Sequence, residues 1–358
     1  MTLKRSSTTA DDMVARLAGS PDVYPQKIDL NSLMVLLLQF DAGAYRRASF
    51  LDDRIFAPAS VGAWASFDRV AEASRLVTDP RPVHFIFHTG HVGSTLVSRL
   101  LDETGLVLPL REPLPLRTLA EAHDALGRGD ALLGSGQFDD LLATLLRLWG
   151  RGYPGNSSVV VKATSSVGRI AIPLLDRNQG SRAIYLNLRA EPYLATLLAG
   201  QNSPADLRGH GPERVRRLQS RIGTLLPPLH ALSIGELAAM SWLAESWSQR
   251  EVLNRFPART IAVDFDQFLV SMAPSIDRML RLFGLPADAS QLDRLKRSPV
   301  LARYSKAPEF AYSPEIRAEL LRESRRREGE EIRKGLAWLE RLARSNNTIA
   351  EIVEAPNG

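Results

Sequence analysis

The segment from Phe87 to Leu101, FHTGHVGSTLVSRLL, gathers Gly90 and Gly93, His88 and His91, and the hydroxyls of Ser94 and Thr95. A glycine turn feeding a helix amino terminus presents backbone N–H groups to an anion, and glycine lets the backbone approach closely. Phosphate is the natural guest of such a turn, with Ser94 and Thr95 adding hydroxyl donors. The Walker pattern, GxxxxGKS or GxxxxGKT, is not met: His88 stands at its first glycine and Ser94 at its lysine. Residue types alone also allow an ordinary strand–helix turn that Ser94 and Thr95 open. Two further candidates close apolar runs, Glu112 in LREPLP and Lys162 in SSVVVK. Glu112 precedes Pro113, which biases its backbone toward an extended or turn conformation. It reads as a carboxylate aimed into a cleft or as a solvated partner of Arg111. Lys162 reads as a cation at a ligand-binding edge or as a snorkelling strand-end lysine.

The elements that must position these residues follow from the apolar patterning. VHFIFH from Val83 reads as a first core strand, followed by the glycine turn and a helix that Gly105 stops. A short apolar run, Leu106 to Leu110, and helices over about 116–127 and 137–149 come next. SSVVVK reads as a second buried strand before a helix from Val167 to Asp176, and RAIYLNL as a third before a helix from Glu191 to Leu198. TIAVDF, 260–265, is a fourth, with helices after it and a stop at Gly284. Strand-then-helix repetition predicts an α/β fold of three layers with a mainly parallel central sheet. A helical insertion is expected at about 203–256, and a last long helix from Pro314 to Arg344. Residues 1–80 read as a helical amino-terminal cap, leaving 81–358 as the α/β domain.

GHVGSTLVSRLLDETG resembles the 5′-phosphosulfate loop of the sulfotransferase family, which reads like PRSGTT or PKSGTT before an apolar helix. GSRAIYLNLRAEPYLATLLAG, 180–200, is similar to the family's strand and helix that hold a 3′-phosphate, with Arg189 and Thr196 at the positions of its arginine and serine. TIAVDFDQFLVSMAPSIDRMLRLFGLP resembles the family's closing strand and helix. The resemblance implies a P-loop-like fold and transfer of a sulfuryl group from 3′-phosphoadenosine 5′-phosphosulfate, with adenosine 3′,5′-bisphosphate as product. Under it, Gly90, His91, Val92, Gly93, Ser94 and Thr95 hold the 5′ end, and Arg189 and Thr196 the 3′-phosphate. Tyr304 and Lys306, in LARYSKAPEF, supply base stacking and phosphate pairing. Glu112 matches the base of protein-tyrosine sulfotransferases, with His88 and His91 as rivals. Lys162 and His91 stabilise charge on the leaving group. The loop departs from the family in carrying His91 for its Lys or Arg, and RAEP carries one residue more than the family's RDP-like turn.

The 358 residues include 45 Lys and Arg against 40 Asp and Glu, a net charge of 45 − 40 = +5, with 44% hydrophobic residues. That composition excludes a disordered or collagen-like chain. There is no cysteine, so disulfides and thiolate chemistry are excluded. The histidines (His84, His88, His91, His123, His210 and His230) show no HExxH-like spacing, and no carboxylate pair suits magnesium, so no metal is expected. The run Leu30–Phe40 is shorter than the roughly 20 residues of a bilayer span. Asp11 and Asp12 stand where a signal peptide after Lys4 and Arg5 would be apolar, which predicts a cytoplasmic protein. The arginines at 322 and 325–327 are interrupted by glutamates and read as a solvated helix face, so no nucleic-acid partner is expected. The expected acceptor is a small molecule, peptide or glycan hydroxyl, or an amine. An atypical P-loop kinase or NTPase, and a non-catalytic nucleotide-binding module, are the competing functions.

Overall fold

The computed structural model describes residues 9–285 and 287–355. Lys4, Arg5 and Pro286, which the sequence reading used, lie outside them.

The amino-terminal segment is not the helical cap its sequence suggests. Beside the helices Ala10–Leu17 and Phe67–Arg75 it holds an antiparallel sheet of β1 (Val23–Asp29), β2 (Met34–Gln39) and β3 (Gly62–Ser66), in that spatial order. The run from Leu30 to Phe40 misleads because its uninterrupted apolar part, Leu33 to Leu38, has neither helical nor strand periodicity. Asp29 decides it. Its carboxylate accepts from the Asn31 amide at 3.0 Å and the Ser32 hydroxyl at 2.7 Å, making a turn that Leu33 completes at φ +49°.

The central sheet has five strands: β4 (Val83–His88), β5 (Val107–Arg111), β6 (Ser158–Lys162), β7 (Ala183–Asn187) and β8 (Thr260–Asp264). Their order is β5–β6–β4–β7–β8. β4 and β5 both pair parallel with β6, and every residue of β4 to β7 is buried, as strands covered on both faces must be. The expected α/β class with a parallel central sheet flanked by helices is thus present. β5, read from sequence only as an apolar run, is a full strand at the end of the order. Pro109, which has no N–H to give a further strand, is compatible with that edge.

The described residues fall into two compact units. One comprises the described residues up to Phe87 with those of Thr95–Ala183 and Ile276–Ser298, and Phe85, Leu100, Leu142 and Leu174 are wholly buried in its core. The other comprises His88–Ser94, Ile184–Ser275 and Pro299–Gly358. Its centre is the helix Ile234–Arg255, opened by a capping box of Ser233 and Glu236 and buried on nearly every face from Leu237 to Gln249. The long helix Pro314–Ala343 meets it backbone to backbone. A Cβ on Gly235 would lie 1.8 Å from the Glu331 carbonyl oxygen, and one on Gly335 would lie 2.5 Å from that of Gly235.

Candidate active site

The glycine loop leaves β4 at its carboxyl end and runs into the helix Ser94–Asp102. Three of its residues are left-handed: Gly90 at φ +104°, His91 at +55° and Gly93 at +68°. Only glycine suits position 93, because a Cβ there would lie 2.0 Å from the Phe265 ring. Asp264 fixes that ring's helix, Phe265–Val270, by accepting from the Gln267 amide at 2.9 Å. Ser94 and Thr95 are buried at the helix start, and the Thr95 hydroxyl has no protein partner. A buried hydroxyl left unmatched at a helix amino terminus fits an anion that would complete it. Val92 is wholly buried, so its side chain packs in the core and only its amide is left for an anion. The Gly90 N–H donates to His88 Nδ1 at 3.1 Å and is not available to a ligand. That bond also occupies Nδ1 of His88, whereas His91 is exposed.

Glu112 and Lys162 are brought together. In register, Lys162 lies opposite both Arg111 and Ile86, at the carboxyl ends of β5, β6 and β4, where parallel sheets hold their ligands. The Lys162 side chain is wholly buried, and its ammonium ion-pairs with Glu112, itself 13% exposed. This is a buried, compensated charge and not a snorkelling lysine. Of the extended or turn backbone expected before Pro113, Glu112 takes a turn, in the left-handed region at φ +53°. The surroundings hold it there: its N–H donates to the Lys162 carbonyl at 2.6 Å, and Leu51 bonds the chain on both sides, accepting from Leu114 and donating to Arg111. The Phe50 ring lies 5.9 Å from the Lys162 ammonium, with the Arg54 guanidinium 3.4 Å over it.

Arg111 is not the partner of Glu112. The Arg111 side chain runs instead toward the helix Ser94–Asp102 and the segment 45–48. There it is wholly buried and donates to Ser98 Oγ, to the carbonyls of Tyr45, Arg46 and Ala48, and to Asp102 at 2.8 Å. Burial lowers its pKa to about 10 against the pull of Asp102.

Arg189 caps the helix Ala190–Leu198 from an exposed position. Among the described residues its guanidinium has no hydrogen bond or ion pair. Thr196 lies 196 − 189 = 7 residues further on, about two helical turns, which puts both on one face. The Thr196 hydroxyl donates to the Pro192 carbonyl at 2.7 Å and keeps its oxygen as an acceptor. The Trp242 indole donates at 2.9 Å to the Leu188 carbonyl, pinning the backbone just before Arg189. Tyr304 and Lys306 lie in a closed turn, where Arg303 bridges Ala311 and the Tyr304 N–H donates to the Phe310 carbonyl at 2.8 Å. Neither side chain hydrogen-bonds to Arg189 or the glycine loop among the described residues.

Two residues that the sequence reading passed over belong to the same strand ends. The chain leaves β4 for one side of the sheet and later crosses to the other, so β4 and β7 flank the point where the strand order reverses. Thr89 and Asn187 stand there, linked by a bond from the Thr89 N–H to the Leu186 carbonyl. Both are buried, with Thr89 Oγ1 and Asn187 Oδ1 unmatched by protein. A polar residue inside YLNL was the available signal. Among the described residues no cluster of three metal-ligating side chains occurs, and no helix is long and apolar enough to cross a membrane.

No protein-family model matches the chain, and no curated protein matches it in sequence. Solved structures similar to it include the sulfotransferase domain from the curacin biosynthetic pathway, at 14% identity, covering 66% of this chain and 85% of that one with a TM-score of 0.39. The sulfotransferase domain of the Synechococcus PCC 7002 olefin synthase matches at 16% identity over 68% and 94% of the two chains, with a TM-score of 0.38. Sulfotransferase STF9 from Mycobacterium avium matches at 14% identity over 90% and 97%, with a TM-score of 0.37.

Proposed function

We propose that this chain is a sulfotransferase that takes a sulfuryl group from 3′-phosphoadenosine 5′-phosphosulfate to a hydroxyl or amine acceptor. The observation that carries the reading is the buried Lys162–Glu112 pair at the carboxyl ends of parallel strands, whose β4 feeds a left-handed glycine turn and a helix amino terminus. A Walker lysine is missing from that turn, which disfavours ATP chemistry.

The residues present suit such a nucleotide. The amides of His91 to Thr95 and the hydroxyls of Ser94 and Thr95 would take the 5′ end, and the open guanidinium of Arg189 would take the 3′-phosphate, joined by Thr196 once its hydroxyl turns from the Pro192 carbonyl. When bound, the nucleotide supplies the sulfuryl group and carries away the negative charge. Glu112 accepts the proton that the acceptor loses. Lys162, released from Glu112 as that carboxylate becomes neutral, offers its charge to the oxygen where negative charge develops. The strained backbone at Glu112 holds the carboxylate in place, so orientation is set before an acceptor arrives.

The test is calorimetric titration with adenosine 3′,5′-bisphosphate beside magnesium–ATP and 5′-AMP, then a screen of acceptors with labelled donor. Binding of the bisphosphate in preference to the others supports the reading. Preference for magnesium–ATP would replace it with the kinase reading, and bisphosphate binding without transfer to any acceptor would leave a nucleotide-binding module.

A further inference from the structure

We infer that His88 is the positioning residue of the glycine loop, acting through the lone pair of its Nδ1 and not through proton transfer. The inference rests on the sulfotransferase reading for its ligand and on geometry for everything else. His88 is the last residue of β4 and is 7% exposed. Its Nδ1 accepts the N–H of Gly90, two residues on, at 3.1 Å. The neutral ring therefore carries its proton on Nε2. The closed ring of atoms is the one an asparagine makes when its side-chain oxygen accepts from the amide two residues ahead.

Three features give this bond its consequence. Gly90 sits at φ +104°, His91 comes next at +55°, and a run of left-handed residues directly after a strand needs something to hold it. The Thr89 N–H between them is tied to the Leu186 carbonyl, so the strand end is fixed and the imidazole sets the direction in which the chain leaves it. The Walker pattern has glycine at the position of His88 and a lysine at that of Ser94. This loop lacks the lysine, and a side chain at the position of the first glycine bonds back onto the backbone instead. His88 thus decides where the amides of His91 to Thr95 point, and with that the affinity for the 5′ end of the nucleotide.

Three variants test the lone pair: His88→Asn, which keeps an acceptor for the i+2 amide, His88→Phe, which keeps a ring without one, and His88→Ala. Binding of adenosine 3′,5′-bisphosphate is expected to weaken about fivefold in His88→Ala and His88→Phe, the scale of one lost hydrogen bond, and to stay within about twofold of wild type in His88→Asn. Hydrogen exchange of the Gly90 amide, read on the nucleotide-free protein, is expected to quicken about tenfold in the first two variants and to remain slow in His88→Asn. Wild-type affinity in His88→Phe, or equal loss in all three variants, overturns the inference. So does Gly90 exchange that ignores the substitutions. If the wild type fails to bind the bisphosphate while Gly90 exchange obeys this pattern, His88 still positions the loop and the sulfotransferase reading is what falls.

Discussion

Two strand ends of the central sheet carry nearly the same words: Leu110-Arg111-Glu112-Pro113 after β5, and Leu188-Arg189-Ala190-Glu191-Pro192 after β7. In the first, the arginine is wholly buried and spent on Asp102, Ser98 and three carbonyls, while the glutamate pairs with buried Lys162. In the second, the arginine is exposed with no partner among the described residues, and the glutamate pairs with Arg325 on the surface, at 2.8 and 2.9 Å. With one extra residue at 190, the arginine leads into a helical turn instead of a left-handed glutamate. An Arg–Glu pair beside a proline therefore has no fixed meaning. Whether the arginine braces the fold or waits for a ligand depends on which groups the surrounding chain brings against it.

Breaking the catalytic half of this contrast should give the largest effect. Glu112→Gln is expected to lower turnover by about 10²- to 10⁴-fold, the usual contribution of a general base, with bisphosphate affinity unchanged by titration. Glu191→Gln at the corresponding place should leave turnover intact. Next in size is the stability contrast between the arginines. Arg111→Met leaves Asp102 without its partner at 2.8 Å and should cost about 3–5 kcal/mol in denaturant unfolding, whereas Arg189→Met should fall within about 0.5 kcal/mol of wild type. Comparable losses in both would erase the distinction. Arg189→Ala should then weaken adenosine 3′,5′-bisphosphate by about 10- to 100-fold, the value of one or two charge-assisted bonds, and leave 5′-AMP unchanged. Equal loss for both nucleotides would remove Arg189 from the 3′-phosphate. The smallest effect belongs to the exposed Glu191–Arg325 pair. Its loss in Glu191→Gln should change stability by no more than about 1 kcal/mol, and less at high salt.

Much of the fold was legible because fully buried parallel strands announce themselves as short β-branched or aromatic runs bounded by turns. VHFIFH, SVVVK, AIYLN and TIAVD all fit that pattern, and the glycine loop after the first could be read as an anion cradle. The misreadings have local causes. β5 contains a proline that an edge strand tolerates, and β2 lies in an apolar run whose turn is made by Asp29 through side-chain bonds that leave no periodic trace. At the site, the types of Glu112 and Lys162 were legible and their pairing was not. They are 162 − 112 = 50 residues apart, and only strand register sets them side by side. Thr89 and Asn187 were missed as a pair for the same reason, since each reads as an ordinary strand-end residue until β4 and β7 are seen as neighbours.

The sequence by itself determined the α/β class, the strand-by-strand course of the sheet from β4 onward except β5, the chemical types at each strand end and the absence of thiol chemistry. These depend on residue type and on neighbours within a few positions. Which charges are compensated and which are open, and the left-handed backbone of Glu112, were decided only by tertiary structure. Parallel strands join residues far apart in the chain, and a single added residue can lead a strand end into a helix in place of a left-handed turn. The same arginine is a structural brace at one strand end and an available cation at another.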